Sequence, residues 1–87
     1  MKHLSTRKYT LRKEGQLRWV MYYLNGRLHR KGGPAFVYYR PDGVLQRAYY
    51  YRWSRLHRDD GPATVTRLLS GAIVHEFYLN GEKVEKL

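Results

Sequence analysis

Eighty-seven residues leave room for one small domain, residues 1–87, and not for two cores. Seventeen Lys and Arg against seven Asp and Glu give a formal charge of +10, which points to an acidic partner. The absence of cysteine excludes a disulfide framework, a thiolate zinc site and a cysteine nucleophile, so the fold must rest on packing and suits a reducing compartment such as the cytoplasm.

In chain order, Met1 to Lys8 is basic but leads into no apolar stretch, and the longest apolar run is Trp19 to Leu24, so neither a signal peptide nor a membrane span is expected. Period-two alternation with β-prone aromatics predicts strands, and no segment asks for a helix. Three hairpins are expected: residues 8–12 with 16–24, 35–40 with 44–52, and 63–68 with 72–79. Asn25-Gly26 and Asn80-Gly81 are turn dipeptides. Arg40-Pro41-Asp42-Gly43-Val44 fits a three-residue hairpin loop, and Lys13-Glu14-Gly15 and Leu69-Ser70-Gly71 occupy the same place. The expected fold class is all-β, a single twisted antiparallel meander.

The hairpins are copies of one unit. Sliding the chain by 28 residues lays 15–42 over 43–70 and matches 12 of 28 positions. The block Arg27-Leu28-His29-Arg30-x-x-Gly33-Pro34-Ala35-x-Val37 recurs as Arg55-Leu56-His57-Arg58-x-x-Gly61-Pro62-Ala63-x-Val65. A truncated third copy, 71–87, puts Tyr78 in step with Tyr22 and Tyr50 and loses one residue before Asn80, while 8–14 reads as half a copy. Charge is distributed unevenly over these copies. Residues 1–58 carry fourteen Lys and Arg against Glu14 and Asp42, a net of +12, whereas 59–87 sum to −2.

Pairing Arg40 with Val44 and counting outward assigns the faces. The core face receives Tyr9, Leu11, Leu17, Trp19 and Met21; Ala35, Val37, Tyr39, Leu45, Tyr49 and Tyr51; and Ala63, Val65, Ile73, Phe77 and Leu79. Arg47 and His75 also fall there, which marks a register defect or an edge. The opposite face receives Thr10, Gln46, Thr64, Thr66, Val74 and Glu76, and with them a basic, aromatic patch: Lys8, Arg12, Arg18, Tyr22, Phe36, Tyr38, Arg40 and Tyr50. These eight are the expected partner-binding residues, because Tyr and Arg supply both interface anchors and a platform for bases and phosphates.

The unit Tyr-Leu-Asn-Gly-Arg-Leu-His-Arg-x-x-Gly-Pro-Ala resembles the MORN-like β-hairpin repeat found in small phage and bacterial proteins, over about residues 8–87. It departs from MORN repeats in its longer period and in lacking their Gly-x-Trp and Gly-x-Gly landmarks. The resemblance implies a twisted sheet used as an interaction surface and no catalytic residue. By analogy it implies a phage-type accessory or anti-defence inhibitor, such as an anti-CRISPR, acting in the host cytoplasm.

His29 and His57, with Arg30 and Arg58, could clamp a phosphate, but their recurrence beside Gly-Pro-Ala favours a fixed connection bonded to neighbouring backbone. Gly33 and Gly61 are expected where a side chain is excluded. His57-Arg58-Asp59-Asp60 lacks four ligands at chelating spacing, so no metal or other cofactor is expected. No carboxylate pair or Ser–His–carboxylate set stands out, so no enzyme is expected. Two functions remain: docking of an acidic protein or nucleoprotein surface, and direct binding of DNA or RNA. Anionic lipid is a weaker third, and the exposed last strand invites homodimerisation.

Overall fold

The computed structural model describes residues 6–85; the basic leader Met1–Ser5 and the end of the truncated copy, Lys86 and Leu87, lie outside the described residues. The alternating segments form β1 (Arg7–Lys13), β2 (Gln16–Leu24), β3 (Arg27–Leu28), β4 (Phe36–Tyr39), β5 (Leu45–Tyr49), β6 (Tyr51–Arg52), β7 (Arg55–Leu56), β8 (Thr64–Arg67), β9 (Ile73–Leu79) and β10 (Glu82–Val84). No helix occurs among the described residues, and so none long and apolar enough to cross a membrane. One antiparallel meander runs β1-β2-β4-β5-β8-β9-β10, with β3 attached to β2 and β6–β7 as a separate ribbon.

The three expected hairpins are β1–β2, β4–β5 and β8–β9. Arg40 does pair with Val44: its N–H donates to the Val44 carbonyl at 2.9 Å, and Asp42 Oδ1 accepts the Val44 N–H at 3.0 Å. Leu68 and Ala72 repeat the same loop. The first hairpin is tighter than expected. Lys13 pairs with Gln16, so the turn is only Glu14 and Gly15, both left-handed at φ 53° and 79°.

Along one edge β2 changes partner half-way, and the run from β5 into β6 does the same. In β2, Trp19 to Met21 pair with β4, whereas Tyr23 and Leu24 pair with β3. Tyr22 stands at the branch: its N–H donates to Ala35 and its carbonyl accepts from His29. Tyr50 does the same between Ala63 and His57. Beyond the branch the short hairpins form a second row, bonded from copy to copy by Ser54 to Leu28 and Gly81 to Leu56, both at 2.8 Å. Their turns are Asn25-Gly26, Trp53-Ser54 and Asn80-Gly81, all with positive φ. Trp53-Ser54 carries no turn signal of its own and is imposed by its neighbours.

Two bulges reset the faces. Arg18 is the extra residue opposite Leu11 and Arg12, and Gln46 the extra residue opposite Tyr38 and Tyr39. They are equivalent positions 28 residues apart. The third copy pairs Arg67, Thr66, Val65 and Thr64 with Ile73, Val74, His75 and Glu76 without a shift, so the residue it lacks is this bulge. Phe77, and not Tyr78, therefore holds the branch position.

Partners directly opposite share a face, so the pairings read as rows across the sheet. One face holds the row Thr10, Val20, Val37, Ala48, Val65, His75. The other holds Leu11, Trp19, Tyr38, Arg47, Thr66, Val74 and, beside it, Tyr9, Met21, Phe36, Tyr49, Thr64, Glu76. The expected faces hold for β4, β8, β9 and Leu17 but are inverted in β1, in β2 from Trp19 onward and in β5 after Gln46. The most buried apolar residues, Val20, Ala35, Val37 and Ala63, lie on the first face, and Val20 replaces Trp19 as the core residue of β2.

The molecule is a plate, 46 × 37 × 15 Å in Cα extent. Its radius of gyration of 13.8 Å exceeds the roughly 12 Å of a compact chain of this length. Substantial contacts between elements are all between paired strands, so the sheet is one layer. The edges are charged: β1 carries Arg7, Lys8, Arg12 and Lys13, and β10 is a three-residue strand holding Glu82 and Lys83. Such edges oppose the self-pairing expected of the last strand. Ser54, at φ 65°, bears a left-handed conformation costing about 1 kcal/mol outside glycine. Ser54→Gly is expected to raise the melting temperature by several degrees, measured by thermal circular dichroism.

Candidate functional site

The connectors His29–Ala35 and His57–Ala63 are built alike. The guanidinium of Arg30 lies 4.0 Å over the Tyr22 ring and that of Arg58 4.1 Å over Tyr50. Each also donates to the proline carbonyl four residues on, Pro34 or Pro62, at 3.2 Å. The Nδ1 of His29 accepts the N–H of Trp53 at 3.1 Å, and that of His57 accepts the N–H of Asn80 at 2.9 Å. The arginines donate to backbone as expected; the histidines accept, because the turn of the next copy presents an unpaired N–H. A Cβ on Gly33 or Gly61 would stand 3.0 Å from the guanidinium carbon. A side chain here would press on the guanidinium and make it shift, while the backbone itself is not left-handed.

The two connectors differ in their acids. Asp59 accepts from His57 Nε2 and from Arg52, each at 3.0 Å, and Asp60 accepts from Arg58 Nε at 3.1 Å. The first connector has Lys31 and Gly32 at those places. Between the connectors lies an open cleft of ≈ 710 Å³, floored by Tyr50, Tyr51, Arg52 and Trp53. Among the described residues, no three His, Asp or Glu side chains stand close enough to hold a metal ion.

The eight expected binding residues do not come together. Lys8 pairs with Tyr22 on the branch side of the sheet, and Tyr22 and Tyr50 are covered by the connector arginines. Arg18 is buried at the bulge, its Nε–H without a partner. Arg12 bends to the Gly15 carbonyl at 3.3 Å, and Arg40 is held in its loop by a two-pronged bond to Asp42, which lowers the Asp42 pKa. Phe36 and Tyr38 share the face opposite the branch, with Arg40 at its loop end tied to Asp42.

That face joins Phe36 and Tyr38 to residues expected in the core, Tyr9, Leu11, Trp19, Met21 and Tyr49, in one platform. Trp19 leans on Tyr38 with ring centroids 5.1 Å apart, Phe36 stacks on Tyr49 at 5.6 Å, and Tyr9 meets Tyr23 edge-on at 5.5 Å. Tyr9 and Leu11 are about half exposed, at 48% and 53%, and the other rings are half-buried by one another. Arg47 is exposed in the same row as Trp19 and Tyr38. The third copy ends the platform with Thr64, Thr66 and Glu76; buried Thr64 donates to Glu76 at 2.9 Å, and Lys83 pairs with the second Glu76 oxygen. The bulges are what placed Arg47 here, and a Gln and an Arg at equivalent positions of a repeat were their only sequence trace.

Comparison with family models, curated proteins and solved structures finds no match.

Two measurements check the connector. Gly33→Val or Gly61→Val is expected to push the guanidinium off its tyrosine and lower stability by about 1–3 kcal/mol in urea denaturation. A near-wild-type midpoint would contradict the close approach. Burial and the nearby Arg52 charge hold His29 below its ordinary pKa of 6.5. The folded state thus binds fewer protons than the unfolded chain, and stability from this group, full above pH 6.5, is lost as pH falls. His29→Asn, which keeps an acceptor for Trp53, is expected to show a smaller loss of stability than wild type between about pH 7.5 and 5.5.

Proposed function

We propose that the chain is a non-enzymatic basic binding protein that docks an acidic protein surface or nucleoprotein complex with the face opposite the branch tyrosines. The supporting observation is the two-row platform, in which Trp19, Tyr38 and Arg47 run beside Met21, Phe36 and Tyr49 on an uncovered single-layer sheet. Rigid rings bury area at little entropic cost and Arg47 supplies a charged hydrogen-bond donor, the combination that dominates interface energetics. The net charge of +10 steers an acidic partner toward the plate. Occlusion of the partner's own contacts is the mode of action, and a phage-type accessory or anti-defence role is the setting it suits.

Direct nucleic-acid binding is the second reading, favoured by the same stacked rings, on which unpaired bases lie while Arg47 meets phosphate. Salt separates the two. Six phosphate contacts would lower affinity by roughly three decades between about 50 and 200 mM salt, whereas a platform-anchored protein complex persists. The triple variant Trp19→Ala, Tyr38→Ala and Arg47→Glu is expected to lose partner capture in pulldowns made with and without nuclease while keeping the strand circular dichroism. Undiminished capture by a folded triple variant would refute the platform.

A further inference from the structure

We propose that the first connector is a receptor for a pair of neighbouring carboxylates on an acidic peptide segment of a partner protein. The second connector supplies the template. There the chain places its own Asp59 and Asp60 on the donors of His57 and Arg58. In the first connector the same donors are in place and the acids are missing. Trp53 donates to His29 Nδ1, which leaves the proton of the neutral ring on Nε2, and Arg30 is held over Tyr22 with Nη1 bonded to Pro34. Among the described residues, neither the His29 Nε2–H nor the Arg30 Nε–H meets an acceptor.

The surroundings select an anion. Lys31 stands where Asp59 stands in the other copy, so the charge at that position is reversed. Gly32, left-handed at φ 87°, carries no side chain, and a Cβ there would meet nothing within 4 Å; Asp60, its counterpart, has no positive φ and places a carboxylate on Arg58. The cleft beside it is lined on this side by His29, Arg30, Lys31 and the Trp53 ring, 4.3 Å from His29, and on the far side by Asp59 and Asp60, which Arg52, His57 and Arg58 already engage. A carboxylate oxygen accepting from Arg30 Nε and a second acid accepting from His29 Nε2 would reproduce the bonds made by Arg58 and His57, with Lys31 supplying the charge that Arg52 gives Asp59 in the other connector, where the first copy has Leu24. This site lies on the branch side of the sheet and does not rest on the platform.

The test is titration of the full chain, followed by 1H–15N spectra at low salt, with an acetylated peptide bearing a central Asp-Asp pair, its Asn-Asn counterpart, or inorganic phosphate. The Asp-Asp peptide is expected to shift the Trp53 amide and the Arg30 Nε–H, and the Asn-Asn peptide to shift neither. Lys31→Glu, exposed and without structural contacts, is expected to weaken binding about tenfold with unchanged circular dichroism. Asp59→Lys combined with Asp60→Gly is expected to create a second site and double the stoichiometry. Trp19→Ala with Tyr38→Ala should leave this binding intact, so failure of the platform and failure of the connector are distinguishable. The assignment is overturned if the Asp-Asp peptide shifts neither group, if Lys31→Glu binds as well as wild type, or if phosphate or a single-stranded oligonucleotide binds there as tightly as the peptide.

Discussion

The plate depends on the contact between a connector arginine and the tyrosine at which a long strand branches. At Tyr22 and Tyr50 the backbone must serve two partners, the main sheet through its N–H and the short hairpin through its carbonyl. An unsupported branch would leave a strand free to continue straight with either partner. Arg30 and Arg58 close the branch by covering the ring with a guanidinium and tying it to the proline carbonyl. A half-buried cation–π contact is worth about 1 kcal/mol. The rest of the connector follows: at Gly33 and Gly61 a Cβ would press on the guanidinium, and Ala35 and Ala63 are fully buried where their carbonyls accept the N–H of the branch tyrosines.

Because the sheet is one layer, no large side chain among the described residues is completely buried, and stability is spread over repeated small contacts. The copies are joined twice, by the main sheet and by the row of short hairpins. The second link passes through the histidines, which accept the turn N–H of the following copy. That link explains how Trp53-Ser54 is held in a conformation that Asn-Gly adopts readily elsewhere. The left-handed strain is offset by the His29 bond, the tilted contact of the Trp53 ring with His29 and the bond from Ser54 to Leu28.

Local signals in the chain were legible wherever one residue type answers one backbone need. Arg40-Pro41-Asp42-Gly43-Val44 and the Asn-Gly turns fold as their chemistry dictates, and the recurrence of His-Arg-x-x-Gly-Pro-Ala marks a connector made twice. The faces were not legible, because a single inserted residue inverts everything beyond it. Arg18 and Gln46 look like ordinary alternating strand residues, yet each is the extra residue of a bulge. Counting through them assigns Trp19 and Tyr49 to the core and Tyr22 and Tyr50 to the open surface, the reverse of where they lie.

The sequence by itself therefore determined an all-β chain of hairpins, the position of most turns, the repeated connector and the concentration of positive charge before residue 59. Each of these depends on interactions between residues near in sequence, or on identity between copies. The tertiary structure alone decided which side of the sheet is covered, that the aromatic rows share the uncovered side with Arg47, and that the first connector lacks the acids the second one carries as partners for its own donors. Those outcomes depend on register between strands, which pairing energies summed over the whole sheet settle and no local stretch encodes.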